Sequence, residues 1–260
     1  MSSIALEEFK AVRRMIVRFV IVLLMVFIGL LTLAPGEMRI GTAVFPLPQF
    51  GSPSMAVQIF LGAKAMLIPS GVPVVALGPV SPFVAPIVIA LLVALLVTFP
   101  YALFLVVRFL RPALRPAERR TLMRSLVPAL ALFYLGCALA YFVIIPETFA
   151  LLYSFAEPMG VAPFFALDDF ISSVFFLTIS VGAAFLLPVG MAVSSHIGLI
   201  PRGFWLRHWR GAVVTAIIFS AVITPDGSGV TMAFLSVPLL GLYAVGALVA
   251  VRGGHADVIQ

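Results

Sequence analysis

The stretch RFLRPALRPAERRTLMR, residues 108–124, carries six arginines and separates two apolar stretches, 84–108 and 126–146. Because arginine resists transfer across a bilayer, this stretch predicts a loop on the cytoplasmic face of a membrane. Each flanking stretch has roughly the 20 apolar residues that a helix needs to cross the hydrocarbon core. The sequence here therefore predicts two membrane-spanning helices joined by a cytoplasmic loop.

The same alternation of apolar and basic segments continues along the whole chain. The apolar stretches suited to spanning are 15–34, 84–108, 126–146, 170–195, 211–224 and 231–251. Fourteen of the sixteen Lys and Arg residues lie on one side of this arrangement, and only Arg39 and Lys64 lie on the other. This bias predicts six spans with both termini in the cytoplasm. We interpret residues 1–251 as a single six-span membrane domain and 252–260 as a cytoplasmic tail.

Composition excludes an ordinary soluble domain, since 63% of the residues are apolar, 10% are charged and the mean hydropathy is +1.22. We attribute the isoelectric point of about 10.1 to the sorting of charge and to attraction for anionic lipid headgroups, not to nucleic acid. The first span lacks a small-residue cleavage site, so we expect it to remain in the mature protein. Cys137, the only cysteine, excludes an internal disulfide and is predicted to be a small packing residue.

Interruptions of the apolar pattern predict the shape of the fold. The first eleven residues suggest a short cytoplasmic helix, and Met55–Leu67 suggests an amphipathic helix on the outer surface, within an exterior segment rich in Pro, Gly and Ser. Three prolines inside spans predict bent helices and hence an all-α, curved and concave bundle. They are Pro100, Pro188 and Pro238. The fifth span is predicted to be short enough to thin the bilayer beside it.

Ionisable residues are almost absent from the predicted spans, which argues against an ion-coupled transporter or pump. Catalytic spacings are also missing, so we expect neither an enzyme nor a cofactor or metal. On the cytoplasmic face the only predicted acids are Glu7, Glu8, Glu118 and Asp257. Glu118 is then either a weak surface ion pair with Arg115 or Arg119, or, together with Glu8, a receptor for guanidinium groups.

Several motifs resemble one membrane protein family. FLRPALRPAERR, residues 109–120, resembles the first cytoplasmic loop of TatC, the core subunit of the twin-arginine protein translocase, and LFYLGCALAYFVIIP, residues 132–146, resembles its third span. Shorter matches are SPF at 81–83, FLLPV at 185–189 and ITPD at 223–226. The resemblance runs from the N-terminus to about residue 251.

The resemblance implies a fold and a role. It implies six spans with both termini inside and with short fifth and sixth helices. Members of the family receive folded cargo through a signal peptide with two adjacent arginines. They recruit the single-span partners TatA and often TatB, form homo- or hetero-oligomers, and work with the proton-motive force. The chain is therefore expected in the cell membrane, with lipids, signal peptides and TatA/TatB-like subunits as partners.

Individual positions follow from the same motifs. The resemblance implies that Glu118 binds the arginine pair, with a second acid at Glu8 or, less favoured, Glu7. Further signal-binding positions implied are Phe109, Arg119 and Lys10, the last of these replacing a usual arginine. Thr224 and Thr231 either contact a partner helix or hydrogen-bond to the backbone, and the two alternatives are equally favoured.

Two departures from the family pattern lie in the predicted spans. Leu186 and Ala244 stand where the family usually carries glutamates, which predicts an unusually apolar concave face. A small-molecule transporter or channel remains an alternative function, although no charged path is available to line it. A structural relative that has lost signal binding is a further alternative.

Overall fold

A computed structural model describes residues 2–40, 43–50, 53–68, 72–156, 158, 164–201, 203–224 and 229–252, and it is mostly helical. The α-helices of the described residues, in chain order, are α1 Ser2–Thr32, α2 Met55–Leu67, α3 Ser81–Leu110, α4 Pro116–Arg124, α5 Leu126–Leu139, α6 Ile145–Ala156, α7 Leu167–Ala184, α8 Leu187–His196, α9 Phe204–Arg207, α10 Trp209–Ile223 and α11 Gly229–Arg252. The strands are β1 Leu33–Ile40, β2 Ala43–Phe50, β3 Val74–Val75 and β4 Phe165–Ala166.

Within the described residues, four helical stretches are long and apolar enough to cross a membrane. They are Lys10–Thr32, Ser81–Leu110, Glu118–Leu152 and Leu167–His196. Shorter apolar helices are Met55–Leu67, Trp209–Ile223 and Leu235–Val251. The four long stretches coincide with the first four predicted spans. The chain is therefore a multi-pass membrane protein, while the count of six and the cytoplasmic termini stay predictions.

The N-terminal helix is longer than expected. The short separate helix predicted for the first eleven residues is wrong, because α1 runs without interruption from Ser2 to Thr32. The sequence has no proline in this range and no glycine before Gly29, so nothing ends the helix at the basic boundary. The N-terminal acids therefore lie on the same helix as the first span.

The exterior segment contains strands as well as the predicted helix. The helix Met55–Leu67 is confirmed with the predicted bounds. However, β1 and β2 form an antiparallel hairpin, and β3 pairs in parallel with β4. The all-α prediction is therefore corrected, because prolines in this segment oppose a helix while strand pairing still satisfies the backbone groups.

The chain divides into two compact units, of which the first comprises residues 1–109 and 162–175. Within it the Ser81 hydroxyl, at the start of α3, donates to Asp168 Oδ2 at 2.5 Å. The buried Phe170 ring meets the Phe60 ring of α2 edge-on at 6.2 Å between centroids. The N-terminal ends of α3 and α7 are thus tied to each other, and α7 is also in contact with α2.

The second unit comprises residues 110–161 and 176–260. A Cβ added to Gly136 of α5 would lie 2.7 Å from Phe185, and one added to Gly182 of α7 would overlap Cys137 Sγ. Small residues therefore let these helices approach closely, as is usual for helix packing in membranes. Cys137 is buried, so its predicted role as a packing residue is confirmed.

Proline has different effects at different positions. At Pro188 the span is broken, since α7 ends at Ala184 and α8 begins at Leu187. Pro100 and Pro238 lie inside the uninterrupted helices α3 and α11. A five-residue π-helical segment, Ala140–Ile144, precedes α6, in which Pro146 removes one backbone donor. The curved, concave form of the bundle stays a prediction.

The two C-terminal helices differ in length. At about 1.5 Å per residue, the 15 residues of α10 extend about 22 Å, compared with about 30 Å for a hydrocarbon core. The predicted short fifth helix is therefore confirmed. The sixth, α11, has 24 residues and continues through Pro238, while its apolar stretch Leu235–Val251 is among the shorter ones, so its predicted shortness stays a prediction.

Candidate functional site

The arginine-rich loop is organised around the start of α4. Helix α3 ends at Leu110, a single 3-10 turn covers Arg111–Ala113, and α4 begins at Pro116. Proline suits this first helical position because no backbone donor is required there. Glu118 occupies the third position, and its Oε2 accepts a hydrogen bond from the backbone N–H of Arg115 at 2.9 Å. Glu118 therefore caps the helix.

The Glu118 carboxylate retains capacity for a ligand. The side chain is half-buried, and the bond to the Arg115 N–H is its one hydrogen bond or ion pair within the described residues. Arg119 instead directs its Nε–H to the Leu114 carbonyl at 3.0 Å. The alternative of a surface ion pair with Arg115 or Arg119 is thus not formed in the described structure. Since a carboxylate has about four acceptor sites, the other oxygen stays available.

The rest of the loop presents its charges outward. Helix α4 packs against α5 and α8, and Leu122 is its buried apolar residue. Exposed arginines of the loop are Arg108, Arg111, Arg115, Arg120 and Arg124, whereas Arg119 is half-buried. Phe109, near the end of α3 in the first unit, is 41% exposed. An aromatic ring exposed in this way is available to a ligand.

The predicted N-terminal positions all lie in the first part of α1. Lys10 is exposed, and its carbonyl accepts a hydrogen bond from Arg14 Nε at 3.3 Å. The side chains of Glu7 and Glu8 lie outside the described residues. Both acids therefore stay predictions.

Hydroxyl groups join the last two helices of the second unit. The Thr224 hydroxyl is buried and donates to the Ser220 carbonyl at 3.0 Å, which matches the backbone-bonding alternative. Ser236 of α11 donates to the Met232 carbonyl at 2.7 Å, and its Oγ lies 3.1 Å from Ser220 Oγ of α10. Contact of Thr224 with a partner stays a prediction, as does that of Thr231, whose side chain lies outside the described residues.

Sequence reasoning missed the serine pair. Ser220 and Ser236 lie 16 residues apart on the successive helices α10 and α11. A serine in each of two apolar helices was the available signal in the sequence. Ser220 is fully buried. The pair stabilises the α10–α11 hairpin through polar groups that have no water to bind inside a membrane.

Leu186, which replaces a usual glutamate, lines an apolar cavity of about 690 Å³. Other lining residues come from the end of α7, from α8, α9, α10 and α11, and from His208 between α9 and α10. We call this space the Trp205 cavity. Trp205 itself is fixed on two sides: its Nε1–H donates to Ser195 Oγ at 3.0 Å, and its carbonyl accepts from the Tyr243 hydroxyl at 2.5 Å. Ala244, the other replaced glutamate, is exposed on α11 and does not line the cavity.

The described residues contain no cluster of three His, Cys, Asp or Glu side chains able to hold a metal ion. Two histidines make bonds within their own turns instead. The Nδ1 of His196 lies 3.1 Å from the Ala192 carbonyl, and that of His208 lies 2.8 Å from the Phe204 carbonyl. Both rings are thus oriented by the backbone.

Comparison with known proteins gives one consistent result. The family described as Sec-independent protein translocase protein (TatC) matches residues 7–238. A TatC of Cenarchaeum symbiosum is 37% identical over 218 residues, which cover 84% of this chain and 82% of that protein. A chloroplastic TATC of Arabidopsis thaliana is 32% identical over 57% of this chain and 43% of that protein.

Structural comparison agrees with the sequence comparison. A crystal structure described as the twin-arginine translocase receptor TatC covers 94% of this chain and 97% of its own, with a TM-score of 0.75 at 24% identity. At this identity the match concerns the fold. Together with the family match over most of the chain, it shows that this chain belongs to the TatC family of Sec-independent protein translocase proteins.

Proposed function

We propose that this chain is the core subunit of a twin-arginine translocase, and that it binds the signal peptides of folded proteins on the cytoplasmic face of the cell membrane. The observation that carries this proposal is the Glu118 carboxylate, which is held by a capping bond and whose second oxygen has no partner among the described residues. Membership of the TatC family and the basic loops, which favour cytoplasmic termini, support it.

The chemistry of recognition follows from this carboxylate. A guanidinium group presents paired N–H donors that match carboxylate oxygens. Because the capping bond already orients Glu118, little side-chain entropy is lost on binding. Glu8, or less favoured Glu7, supplies a second carboxylate for the second arginine. The exposed Phe109 ring offers a face to a cation. Arg119 and Lys10 lie beside the path along which the signal peptide enters.

Partner subunits are the second part of the proposal. TatA/TatB-like proteins with one span bind along the C-terminal helices, with Thr224 and Thr231 near the contact. Because α10 extends about 22 Å over its 15 residues, the bilayer thins beside it, which lowers the barrier for cargo driven by the proton-motive force. Copies of this chain and its partners assemble into an oligomer.

The test uses a twin-arginine signal peptide with a photoreactive residue next to its arginine pair, added to membranes that contain the full-length protein. In the Glu118→Gln variant the amide can still cap the helix but carries no charge. We expect crosslinking to fall about ten- to hundredfold, because a charge-assisted bond contributes about 1.5–3 kcal/mol. Glu147→Gln, which changes an exposed carboxylate of α6, is the matched control.

The outcomes separate the alternatives. Unchanged crosslinking in Glu118→Gln would remove Glu118 from the site, and equal crosslinking of a signal with two lysines would remove arginine recognition. Copurification of a single-span partner without any signal crosslinking would instead favour a structural relative that has lost signal binding. Uptake of small solutes by vesicles that contain this protein alone would favour a transporter.

A further inference from the structure

The Trp205 cavity opens at the protein surface. Its lining residues Gly190, Gly211 and Thr215 are exposed, so the space is accessible from outside the unit. Its volume of about 690 Å³ lies in the range of small-ligand sites. In a membrane protein such an apolar space is reached by molecules dissolved in the bilayer. The cavity is therefore both accessible and large enough for an apolar ligand.

The cavity wall is preformed at one end. The indole N–H of Trp205 is bonded to Ser195 of α8, and the Trp205 carbonyl is bonded to Tyr243 of α11. Next to it the Phe204 and His208 rings stack at 4.0 Å between centroids. These contacts hold aromatic and polar groups at this end, while residues such as Leu186, Ala216 and Phe219 make the rest apolar. The lining is thus apolar, with a few polar groups near Trp205.

The sequence around α9 carries basic residues and no acidic ones. From residue 170 to residue 225 the sequence contains no acidic residue. Arg207, which follows the lining residues of α9, and Arg210, which follows His208, are both exposed. Arg210 Cζ lies 5.7 Å from the centroid of the exposed Trp209 ring. Tryptophan and arginine at one level are typical of the membrane–water interface, where lipid phosphates lie.

We propose that the Trp205 cavity binds an anionic phospholipid, with one acyl chain along the apolar lining and the headgroup phosphate at Arg207, Arg210 and His208. The lipid is favoured over an apolar peptide segment because the exposed Arg207 and Arg210, next to lining residues in the sequence, complement a phosphate. In addition, the lining contains no unpaired buried polar side chain for a peptide backbone to bind. This proposal does not depend on the signal-binding role of Glu118.

The test reconstitutes the full-length protein in phosphatidylcholine nanodiscs with a trace of phosphatidylglycerol that carries a photoreactive acyl chain. Mass spectrometry then locates the labelled peptides, and photoreactive phosphatidylcholine is the reference lipid. We expect phosphatidylglycerol to label residues 183–191 and 204–219 more strongly than phosphatidylcholine does. Each arginine that contacts the headgroup should contribute about fivefold to this ratio. Replacing both Arg207 and Arg210 by Gln should remove that preference, whereas Arg111→Gln with Arg120→Gln should keep it.

Filling the cavity gives an independent test. A Cβ at Gly190 meets nothing within 4 Å, and Gly190 lines the cavity, so Gly190→Leu fills the space without a clash at Cβ. We expect it to reduce phosphatidylglycerol labelling about tenfold. Gly241→Leu is the matched control, since Gly241 is equally open but lies outside the lining.

Three results would overturn the proposal. One is equal labelling by the two lipids, and another is full labelling of the Gly190→Leu variant. The third is labelling of the cavity by a photoreactive apolar signal segment that excludes the lipid, which would make the occupant a peptide. Preferential labelling that is lost in both variants and kept in both controls would support a specific lipid site.

Discussion

Two basic segments of this chain have opposite chemistry. The Glu118 loop, residues 108–124, has six arginines and one acid, whereas the Trp205 segment, residues 202–210, has three arginines and no acid. In the loop, the acid is fixed by a capping bond and several arginines point outward. In the segment, the Trp205 ring is fixed by Ser195 and lines an apolar cavity, and Arg207 and Arg210 are exposed next to lining residues in the sequence. Basic sequence alone thus does not indicate the charge of the ligand.

The arrangement of the few non-basic groups makes the difference. One oriented carboxylate is sufficient to bind a guanidinium, because charge-assisted hydrogen bonds act at short range while exposed charges are screened over about 8 Å at physiological salt. Without any carboxylate the same kind of surface attracts only anions. We therefore propose a cationic ligand for the loop and an anionic one for the segment.

Charge reversal should give the largest difference in signal-peptide affinity between the two segments. Glu118→Lys removes the acceptor and adds a repelling charge, so we expect affinity for a twin-arginine signal to fall by about a hundredfold or more. Arg210→Glu makes an equally large change of charge in the Trp205 segment and should alter signal affinity less than about twofold. Fluorescence anisotropy of a labelled signal peptide with nanodisc-embedded protein measures both. An equal loss in the two variants would mean that only net charge matters.

The fixed indole offers a smaller effect on stability. Trp205→Phe removes the donor to Ser195 Oγ, so we expect the free energy of unfolding to fall by about 0.5–1.5 kcal/mol, with added loss from packing. Trp209→Phe should change it by less than about 0.5 kcal/mol, since the Trp209 ring is 55% exposed. Thermal unfolding of both variants in the same detergent checks the difference. Equal shifts would contradict the anchoring role of Trp205.

Much of the fold was predictable because hydrophobicity and charge sorting act locally along the chain. The first four spans, the exterior helix Met55–Leu67 and the break at Pro188 all follow from composition and proline chemistry. The β1–β2 hairpin was not predicted, because pairing of proline-rich strands depends on a partner strand and not on periodicity. Helix α11 continues through Pro238, because a helix in a membrane accommodates proline where neighbours cover the freed groups.

The candidate sites show the same limit. The scarcity of acids among the cations and the family motif both point to Glu118, and the structure adds that it caps α4. That cap could have been predicted from the sequence, since Pro116 at the first helical position and Glu118 at the third are typical of a helix start. The Trp205 cavity could not be predicted from the sequence, because its lining residues come from separate helices and converge only in three dimensions.

The smallest expected effect separates the two roles of Glu118. Glu118→Ala removes the bond to the Arg115 N–H, so we expect the start of α4 to lose about 0.5–1 kcal/mol, whereas Glu118→Gln should keep the cap and lose almost nothing. Hydrogen exchange of the 110–124 peptide measures this, and faster exchange of about two- to fivefold is expected only for Ala. Glu147→Ala controls for loss of an exposed carboxylate elsewhere.

This comparison decides how any loss of signal binding is interpreted. If Gln keeps exchange protection and still loses the signal, the charge of the free oxygen is what the ligand requires, because the helix that carries it is intact. If Gln opens the helix as much as Ala does, the lost binding reflects a displaced loop, and the assignment of Glu118 as the guanidinium acceptor is wrong. In that case the difference in ligand binding between the Glu118 loop and the Trp205 segment depends on the fold of α4 and not on a single carboxylate.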